Sequence, residues 1–409
     1  MNEEQASAAG DWGASLIRRI IAACGPREPG STAERKAQDM VAEELRPFVD
    51  TVALEPFTVK PRAFLRFMPI TSVLLVLAVA AYWLLPYSLV GLGLAALGAI
   101  VAICQFLFYR QLLDPLFPGR TSHNLIGTRM PKGATKRRFI LSGHIDSAYE
   151  WPFSYYLGVW AVRLVIAGTI IGSVVVLFSG LARLLFDGIA VSAPAGVWFW
   201  AGLVQVVFLP CFIGLFFFVS YRRVVPGAND NLTGVVAALA VAKHLHETAE
   251  QLEHTELRVI SMGSEEAGLR GAKAYAARHR DDLSAVPTVF VALETFRDDE
   301  HMAVYNRDMS GLVQHDPAAS RLLTEAGKRC GRDLSYATIY VGASDAAAFS
   351  QAGIPAAALA AMDPAPPRYY HTRLDDVNNL NPACIAQGIR IALEATRRFD
   401  AEGLPAEDA

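Results

Sequence analysis

Four stretches of apolar residues constrain the fold of this chain more than any other feature. They span residues 67–85, 89–108, 153–178 and 198–220. Arg163 is the only charged residue among them. Each stretch can cross a hydrocarbon core of about 30 Å at a helical rise of about 1.5 Å per residue. Buried helices of a large soluble core are the alternative, but such runs rarely occur four times in one soluble domain. We therefore predict two transmembrane helical hairpins, at 63–109 and 151–221.

The composition agrees with a membrane protein and argues against one class of partner. A hydrophobic content of 53% over 409 residues is high for a soluble enzyme. The 37 Lys and Arg residues nearly balance the 40 Asp and Glu residues, so the formal charge is only −3. This balance argues against nucleic acid as a partner. We expect a lipid bilayer as the surroundings of the hairpins.

The distribution of basic residues predicts which side of the membrane the polar segments face. An even number of crossings places residues 1–62, 110–150 and 222–409 on the same side. Beside the membrane this side carries Lys60, Arg62, Arg66, Arg110, Arg120, Arg222 and Arg223. The two short loops on the opposite side contain one basic residue, Arg183. Because loops rich in Lys and Arg usually stay in the cytoplasm, we predict that the polar domain is cytoplasmic.

The cysteines and the N-terminal sequence fit the same compartment. The five cysteines are widely spaced and include no CxxC pair, which is typical of a chain in a reducing compartment. The first residues, MNEEQASAAG, are acidic and contain no basic segment followed by an apolar run. We therefore expect no secretory signal.

The polar segments alternate between strand-like and helix-like patterns. Short runs rich in Val, Ile, Phe and Ala resemble strands: RFILSGH, ELRVISMGS, TVFVALE, YATIYVG and IPAAALAAM. Helix-like segments at 232–246 and 268–278 lie between some of them. This alternation predicts an α/β fold with a mostly parallel, doubly wound sheet. The domain that contains the sheet would be discontinuous, with one hairpin inserted at each break.

Polar side chains stand where several of the strand-like runs end. His144 and Asp146 follow the run RFIL, Glu265 and Glu266 follow ELRVISM, and Glu294 follows TVFVAL. Open α/β sheets bind ligands at the carboxyl ends of their strands, so we expect these groups to converge on one crevice.

Two further residues complete a ligand set suited to zinc. Asp230 precedes a helix in PGANDNLTG, and His371 lies in YYHTRLDD. Catalytic zinc sites use nitrogen and oxygen donors and keep a position open for water. Two ions about 3.5–4 Å apart need a bridging carboxylate, with one His and one further carboxylate for each ion. We predict Asp230 as the bridge, with His144 and Glu294 on one zinc ion and His371 and Glu266 on the other.

The remaining acidic residues suit supporting roles. Glu265 is adjacent to a predicted ligand without being needed as one, which suits a general base. Asp146 could accept the ring N–H of His144 that faces away from zinc, and Asp375 could support another ligand similarly. Each signal is weak alone, and the constellation carries the prediction. In contrast, the histidines on or after an amphipathic helix are predicted to be surface residues: His244, His246 and His254.

Taken together, these motifs resemble the co-catalytic zinc aminopeptidases, metallopeptidase family twenty-eight of clan MH. The resemblance covers roughly residues 12–62, 120–150 and 222–400. It rests on SGHIDS, GANDNLTG, SMGSEEAGLRGAKAY, VALE, VGASDAAAF followed by AGIPA, and YYHTRLDD. It implies a three-layer αβα zinc exopeptidase fold, two zinc ions per chain and the roles assigned above.

The chain departs from that family pattern at two points. His144 and Asp230 are 86 positions apart, because the second hairpin is inserted between them. Glu294 stands where the aminopeptidases typically carry Asp. The membrane part is therefore expected to interrupt the catalytic domain rather than to be appended to it.

The leading functional prediction is a membrane-embedded aminopeptidase that acts on a peptide or amino-acyl substrate. The relatives that the resemblance implies include carboxypeptidases and glutaminyl cyclases, so both activities are alternatives. Glutaminyl cyclases are acyltransferases with one zinc ion. A catalytically inactive scaffold or receptor is a second class, which we would expect to lack ligands or the base. A transporter is disfavoured because the apolar stretches carry almost no ionisable residues.

Overall fold

The computed structural model describes residues 1–405, which fold as two compact units. The first, called the α/β unit, contains Met1–Pro61, Gly119–Tyr149 and the chain from Val224 onward. The second, called the apolar-helix unit, contains Arg62–Pro118 and Glu150–Arg223. The chain therefore leaves the α/β unit twice and returns to it twice.

The structural elements are numbered in chain order. The strands are β1 (Thr51–Val59), β2 (Arg120–Arg129), β3 (Arg137–His144), β4 (Tyr149–Glu150), β5 (Ser220–Val224), β6 (Thr255–Met262), β7 (Thr288–Phe296), β8 (Met302–Asp308), β9 (Val313–Gln314), β10 (Ser335–Thr338) and β11 (Ala356–Ala361). The α-helices are α1 (Glu3–Cys24), α2 (Thr32–Leu45), α3 (Phe67–Leu84), α4 (Ser88–Ala102), α5 (Pro152–Leu157), α6 (Val159–Asp187), α7 (Val197–Val207), α8 (Leu209–Phe216), α9 (Leu232–Glu247), α10 (Arg270–Arg278), α11 (Arg280–Ser284), α12 (Pro317–Arg329), α13 (Asp345–Gln351) and α14 (Pro382–Glu402).

The α/β unit is built on a mixed sheet with the strand order β1-β2-β6-β3-β7-β11-β8-β10, and β9 pairs with β8. The four central strands β6, β3, β7 and β11 run parallel to one another. At one edge β2 pairs antiparallel with β6, and at the other β8 pairs antiparallel with β11. The prediction of a mostly parallel α/β sheet is confirmed for this centre. Strand β8 was not predicted, because its short apolar run ends in the polar residues Asn306, Arg307 and Asp308.

Helices cover both faces of the sheet, which gives three layers. Helices α1, α9, α12 and α14 pack together on one face, and α10 and α13 pack on the other. Helix α9 is apolar nearly all round because it contacts β3 and β7 on one side and α1 and α14 on the other. Asn231 caps its N-terminus by accepting a hydrogen bond from the backbone N–H of Gly234. This cap fixes the end of the segment that carries Asp230.

The apolar-helix unit contains four helical segments that are long and apolar enough to cross a membrane. They are Phe67–Leu84, Ser88–Leu107, Val159–Asp187 and Val197–Phe216. Many of their large apolar side chains are exposed, including those of Phe178, Phe186 and Val207. Exposed apolar helix faces of this kind are typical of helices surrounded by lipid.

The third predicted span, 153–178, is shifted in the structure. Gly158, with a φ of 85°, separates the short helix α5 from α6, and α6 continues to Asp187. Arg183 therefore lies within a helix and is buried, so its assignment to a loop was wrong. Its guanidinium donates to the carbonyl oxygens of Tyr82, at 2.9 Å, and Ser192, and lies 4.7 Å from the Tyr82 ring centroid. These contacts give the buried guanidinium two carbonyl acceptors and an aromatic face, which lowers the cost of its burial within the helix.

Candidate metal centre

Asp230 lies at the centre of the predicted ligands and presents a different oxygen to each histidine. Its Oδ1 is 3.3 Å from His144 Nε2, and its Oδ2 is 3.1 Å from His371 Nε2. His144 ends β3, whereas His371 lies in the loop before α14. The two histidines thus approach the same carboxylate from separate parts of the chain.

Each histidine also has a second carboxylate beside it. Glu294 Oε2 is 3.8 Å from His144 Nε2, and Glu266 Oε1 is 3.3 Å from His371 Nε2. The ligand atoms of His144, Asp230 and Glu294 lie within 4.8 Å of one another, and so do those of Asp230, Glu266 and His371. Two ligand atoms that bind one tetrahedral zinc at about 2.0–2.1 Å are separated by about 3.3 Å. The spacing of both groups therefore fits a metal ion.

The electrostatics of the cluster also fit cations. Burial by itself would lower the pKa of His371, but the carboxylates of Glu266 and Asp230 raise it to about 10. Burial likewise opposes a charged His144, yet neighbouring carboxylates, Glu265 first among them, raise its pKa well above its ordinary value. Burial raises the pKa of Glu294 well above its ordinary value. Such a buried excess of carboxylate groups is stabilised by bound positive charge.

Glu294 is held in place by the residue that caps α9. The side-chain amide of Asn231 donates to Glu294 Oε2 at 2.5 Å and to the carbonyl oxygen of Leu293 at 2.9 Å. Asn231 thereby links the end of β7 to the segment that carries Asp230. A fixed carboxylate of this kind needs little reorganisation when a ligand binds.

Asp146 positions the two adjacent glutamates through their backbone. Its Oδ1 accepts the N–H of Glu265 and its Oδ2 accepts the N–H of Glu266, both at 3.0 Å. The predicted contact of Asp146 with the His144 ring is longer, because Oδ1 lies 3.5 Å from Nδ1. Asp146 is fully buried. Its main structural effect is therefore to connect the end of β3 with the loop after β6.

Glu265 lies beside Nε2 of His144, the ring nitrogen that faces Asp230. Its Oε2 is 3.8 Å from His144 Nε2, and its side chain is buried. Burial raises the pKa of Glu265 well above its ordinary value, and the nearby charge of His144 acts in the opposite direction. A carboxylate of raised pKa next to a metal position is suited to accepting a proton.

Asp375 supports the segment that carries Asp230. Its Oδ1 accepts the backbone N–H and the side-chain amide of Asn229, each at 2.8 Å, and its Oδ2 accepts the N–H of Asp230 at 3.1 Å. Burial and the neighbouring charge of Asp230 raise the pKa of Asp375 to about 7. Asp375 thus fixes the backbone of the predicted bridging ligand.

Three residues at or next to the predicted site have left-handed backbone conformations. His371 has a φ of 51°, Ser264 before Glu265 has 54°, and Thr295 after Glu294 has 43°. Such conformations are unfavourable for residues other than glycine and persist where surrounding contacts enforce them. Their position here shows that the fold enforces the orientation of these side chains.

Sequence reasoning missed two buried acidic residues near the cluster. Glu34 accepts the N–H and the hydroxyl of Ser264, at 2.8 and 2.9 Å, and so supports the loop with the two glutamates. Glu34 lies in the first turn of α2, where Ser31 caps the helix by accepting the N–H of Glu34. Asp345 is buried at the start of α13, and within residues 1–405 neither of its carboxylate oxygens has a hydrogen-bond partner. The motif VGASDAAAF was the available signal for it.

One of the histidines predicted to be at the surface is not there. His244 lies on α9 and is buried, with 7% of its surface exposed. Its Nε2 is 3.5 Å from Arg397 Nη2. The prediction treated α9 as amphipathic, whereas this helix is covered on more than one side.

Comparison with known proteins agrees with this geometry. Residues 218–396 match the sequence pattern of peptidase family M28. A comparison with curated proteins gives no match. A zinc aminopeptidase from Bacillus subtilis is similar in fold, with 16% identity, a TM-score of 0.57 and coverage of 96% of this chain and 95% of that chain.

Two further solved structures are similar to the same degree. An aminopeptidase from Aneurinibacillus sp. strain AM-1 has 16% identity, a TM-score of 0.56 and coverage of 97% of this chain and 96% of that chain. A glutaminyl cyclase from Bacteroides thetaiotaomicron has 13% identity, a TM-score of 0.56 and coverage of 95% and 97%. At these identities the likeness concerns the fold. The family match over residues 218–396 and the shared fold confirm the predicted resemblance to the metallopeptidases of family M28.

Proposed function

We propose that the chain is a membrane-embedded aminopeptidase that binds two zinc ions. Its hydrolase domain is discontinuous, at 1–62, 110–150 and 222–409, and the two hairpins interrupt it. The observation that carries the proposal is the position of Asp230, whose two oxygens face His144 and His371 at 3.3 and 3.1 Å. A carboxylate shared in this way between two histidines is the arrangement that a pair of metal ions requires.

The residues of the site would have two kinds of role, as metal ligands and as the general base. His144, Asp230 and Glu294 would hold one ion, and His371, Asp230 and Glu266 the other. When bound, the ions would supply Lewis-acid polarisation of the scissile carbonyl and a more acidic water. Glu265 accepts the proton of the attacking water as the new C–O bond forms. It then donates that proton to the amine as the C–N bond breaks.

Asp146 acts on this chemistry through the backbone. By accepting the N–H groups of Glu265 and Glu266, it holds the base and a ligand at a fixed separation. It also lies next to the His144 ring, with its Oδ1 3.5 Å from Nδ1.

The glutaminyl cyclase among the similar structures makes an acyltransferase the second candidate. Ligands for two ions lie around Asp230, whereas one ion would need only one of the two groups. This supports hydrolysis. Peptides that begin with glutamine separate the candidates, since a cyclase would release ammonia and leave the peptide bond intact.

The experiment combines zinc analysis with hydrolysis of a panel of amino-acyl amides. We expect about two zinc ions per chain in the wild type, in line with a two-metal site. The change His371→Ala should lower the zinc content and the hydrolysis together. His246→Ala, on the exposed side of α9, is the matched control and should change neither. A wild type that binds no zinc and cleaves no amide would contradict the proposal and favour an inactive scaffold.

We also propose that the α/β unit is cytoplasmic. The four long apolar segments and the basic residues that flank them support this orientation. A cysteine placed at Ala193, in the loop after α6, should react with a membrane-impermeant maleimide added to intact cells. A cysteine placed at Glu247, in α9, should not. The opposite labelling pattern would overturn the orientation.

A further inference from the structure

Arg27 is a buried cation that binds backbone carbonyl groups. It lies in the loop GPREPG between α1 and α2, and its side chain is fully buried. Its guanidinium donates to the carbonyl oxygens of Gly25, Ile145, Pro226 and Gly227 at 3.2, 2.6, 2.7 and 2.8 Å. The planar, multiply donating guanidinium can satisfy several acceptors that a single ammonium group cannot reach.

Apart from that of Gly25, which lies in the same loop as Arg27, these carbonyl groups belong to two segments that are far apart in sequence. Ile145 lies between the predicted ligand His144 and Asp146, whereas Pro226 and Gly227 precede the predicted bridge Asp230. The backbone of Arg27 adds a reciprocal pair of bonds to the first segment. Its N–H donates to Ser147 Oγ at 2.9 Å, and the N–H of Ser147 donates to its carbonyl oxygen at 3.0 Å. Arg27 thus joins the two segments in one set of hydrogen bonds.

The two segments also contact each other directly, because the N–H of Val225 donates to the carbonyl oxygen of Ala148 at 2.9 Å. Arg27 adds a connection of both segments to a third one. Residues 150–223 belong to the apolar-helix unit, so Ser147 and Pro226 are not restrained by a short loop. Closing a flexible loop costs conformational entropy that grows with its length. Arg27 fixes both ends of the insertion to a third segment of the α/β unit, the loop between α1 and α2. Its hydrogen bonds offset part of this entropic cost close to the predicted ligands.

The backbone around Gly227 is shaped for close approach of the two segments. Gly227 has a φ of 64°, and a Cβ placed on it would lie 2.5 Å from Ser147 Cβ and 3.0 Å from Arg27 Nη2. A side chain at this position would separate the two segments. The absence of a side chain is therefore part of the same arrangement.

The charge of Arg27 is also compensated by residues that support the ligands. Burial lowers its pKa to about 10, and the carboxylates of Asp146 and Asp375 act in the opposite direction. Arg27 therefore stays protonated at neutral pH. Asp146 holds the glutamate loop and Asp375 holds Asp230, so the cation lies among the groups that organise the cluster.

We propose that Arg27 is a positioning residue that fixes His144 and Asp230 relative to each other across the inserted apolar helices. The inference rests on the proposed metal-dependent function, because its consequence is the geometry of the metal position that uses both residues. The ion beside His144 would have two ligands, His144 and Asp230, on the segments that Arg27 joins. The ion beside His371 would have only one ligand, Asp230, on those segments.

The test uses the full-length protein and the change Arg27→Lys, which keeps the charge and removes the planar set of donors. Arg137→Lys is the matched control, because Arg137 donates to the carbonyl oxygens of Phe399 and Asp400 at the opposite end of β3. Hydrogen exchange of the metal-free proteins is measured by mass spectrometry for peptides that cover 143–149 and 225–231. Zinc retention is then measured by competition with a chelator of known affinity.

We expect Arg27→Lys to raise exchange in both peptides together and to weaken the more labile zinc ion about tenfold to a hundredfold. The control should leave exchange in these peptides and zinc retention as in the wild type. Unchanged hydrogen exchange in either peptide would contradict the inference that Arg27 joins the two segments. Raised exchange with unchanged zinc retention would overturn the positioning role.

Failure of the proposed function has a different signature. If the wild type retained no zinc, the metal-dependent function would be contradicted and the positioning role would fall with it. The exchange data would still decide whether Arg27 joins the two segments. Thermal unfolding of Arg27→Lys is recorded in parallel with that of a second variant, Arg27→Gln, which is shorter and uncharged. Raised exchange in the two peptides at an unchanged Tm in either variant shows that loss of the bonds, and not loss of folding, causes the effect.

Discussion

The charged cluster around Asp230 and the buried polar side chains of the apolar-helix unit have different kinds of partner. In the apolar-helix unit, buried polar side chains bind backbone carbonyl groups: Arg183 binds Tyr82, and Ser72 binds Phe212. In the α/β unit, buried histidines and carboxylates face one another around Asp230. The first arrangement pairs each of these two side chains with neutral backbone acceptors, and the second concentrates charge that a ligand must balance. The contrast distinguishes polar groups that stabilise the fold from groups assembled for binding.

The largest expected effect concerns the proposed base in the charged cluster. Glu265→Gln should lower kcat by about 10²–10⁴ because the amide cannot accept the proton of water. Zinc content should remain that of the wild type, since Glu265 is not a proposed ligand. Steady-state hydrolysis of an amino-acyl amide with parallel zinc analysis checks this, and Glu247→Gln on the exposed end of α9 is the control. Wild-type kcat in Glu265→Gln would remove Glu265 from the reaction.

The next effect concerns the support of the bridging ligand. Asp375→Asn should weaken zinc affinity about 10–100-fold, because the amide is a poorer acceptor for the N–H groups of Asn229 and Asp230. Chelator competition measures the affinity. The neighbour Asp376, which caps a short helical turn through Asn378, provides the matched control Asp376→Asn. Equal affinities in the two variants would contradict the role of Asp375.

A substitution of Arg183 in the apolar-helix unit should lower the stability of the fold and leave zinc binding unchanged. Arg183→Met leaves the carbonyl groups of Tyr82 and Ser192 without their donor, which should cost about 1–3 kcal/mol. Thermal unfolding in detergent should show a lower Tm, whereas zinc content should stay unchanged. Arg222→Met, on an exposed residue, should leave both unchanged. Loss of zinc in Arg183→Met would break the distinction between the two units.

The smallest effect concerns a carboxylate of the α/β unit that stabilises the fold without belonging to the cluster. Burial would raise the pKa of Asp400, but the N–H groups of Glu253 and His254 hold it below its ordinary value. The stabilisation is therefore present above the unfolded pKa of about 3.9 and is lost as the pH falls through the folded value. Asp400→Asn should lower Tm at pH 7, and its difference from the wild type should shrink below about pH 4. A constant difference across this range would contradict the assignment.

The sequence predicted the parts of this structure that depend on local pattern. His144, Glu265, Glu266 and Glu294 could be found because each follows an apolar run, and parallel strands bring such ends to one edge. The apolar segments were recognisable from their length and lack of charge. Their sequence alone did not reveal the break at Gly158 or the extension of α6 past Arg183, because a tertiary contact satisfies that charge.

The contacts that sequence reasoning missed link residues far apart in the chain. Arg27 and Gly227 are separated by 200 positions, and Glu34 and Ser264 by 230. Neither Arg27 in a turn nor Glu34 in a helix start has a local pattern that distinguishes it from a surface residue. Such pairs become visible only when the fold brings their segments together. The sequence indicated the supporting residues Asp146 and Asp375, which lie close in the chain to His144 and His371, but not Arg27 and Glu34.

The most direct test of the central claim is anomalous X-ray scattering at the zinc edge from crystals of the full-length protein grown with zinc. We predict two anomalous peaks, one beside His144 Nε2 and one beside His371 Nε2, with the carboxylate of Asp230 between them. A single peak at either histidine, or peaks that lie away from Asp230, would contradict the two-metal site.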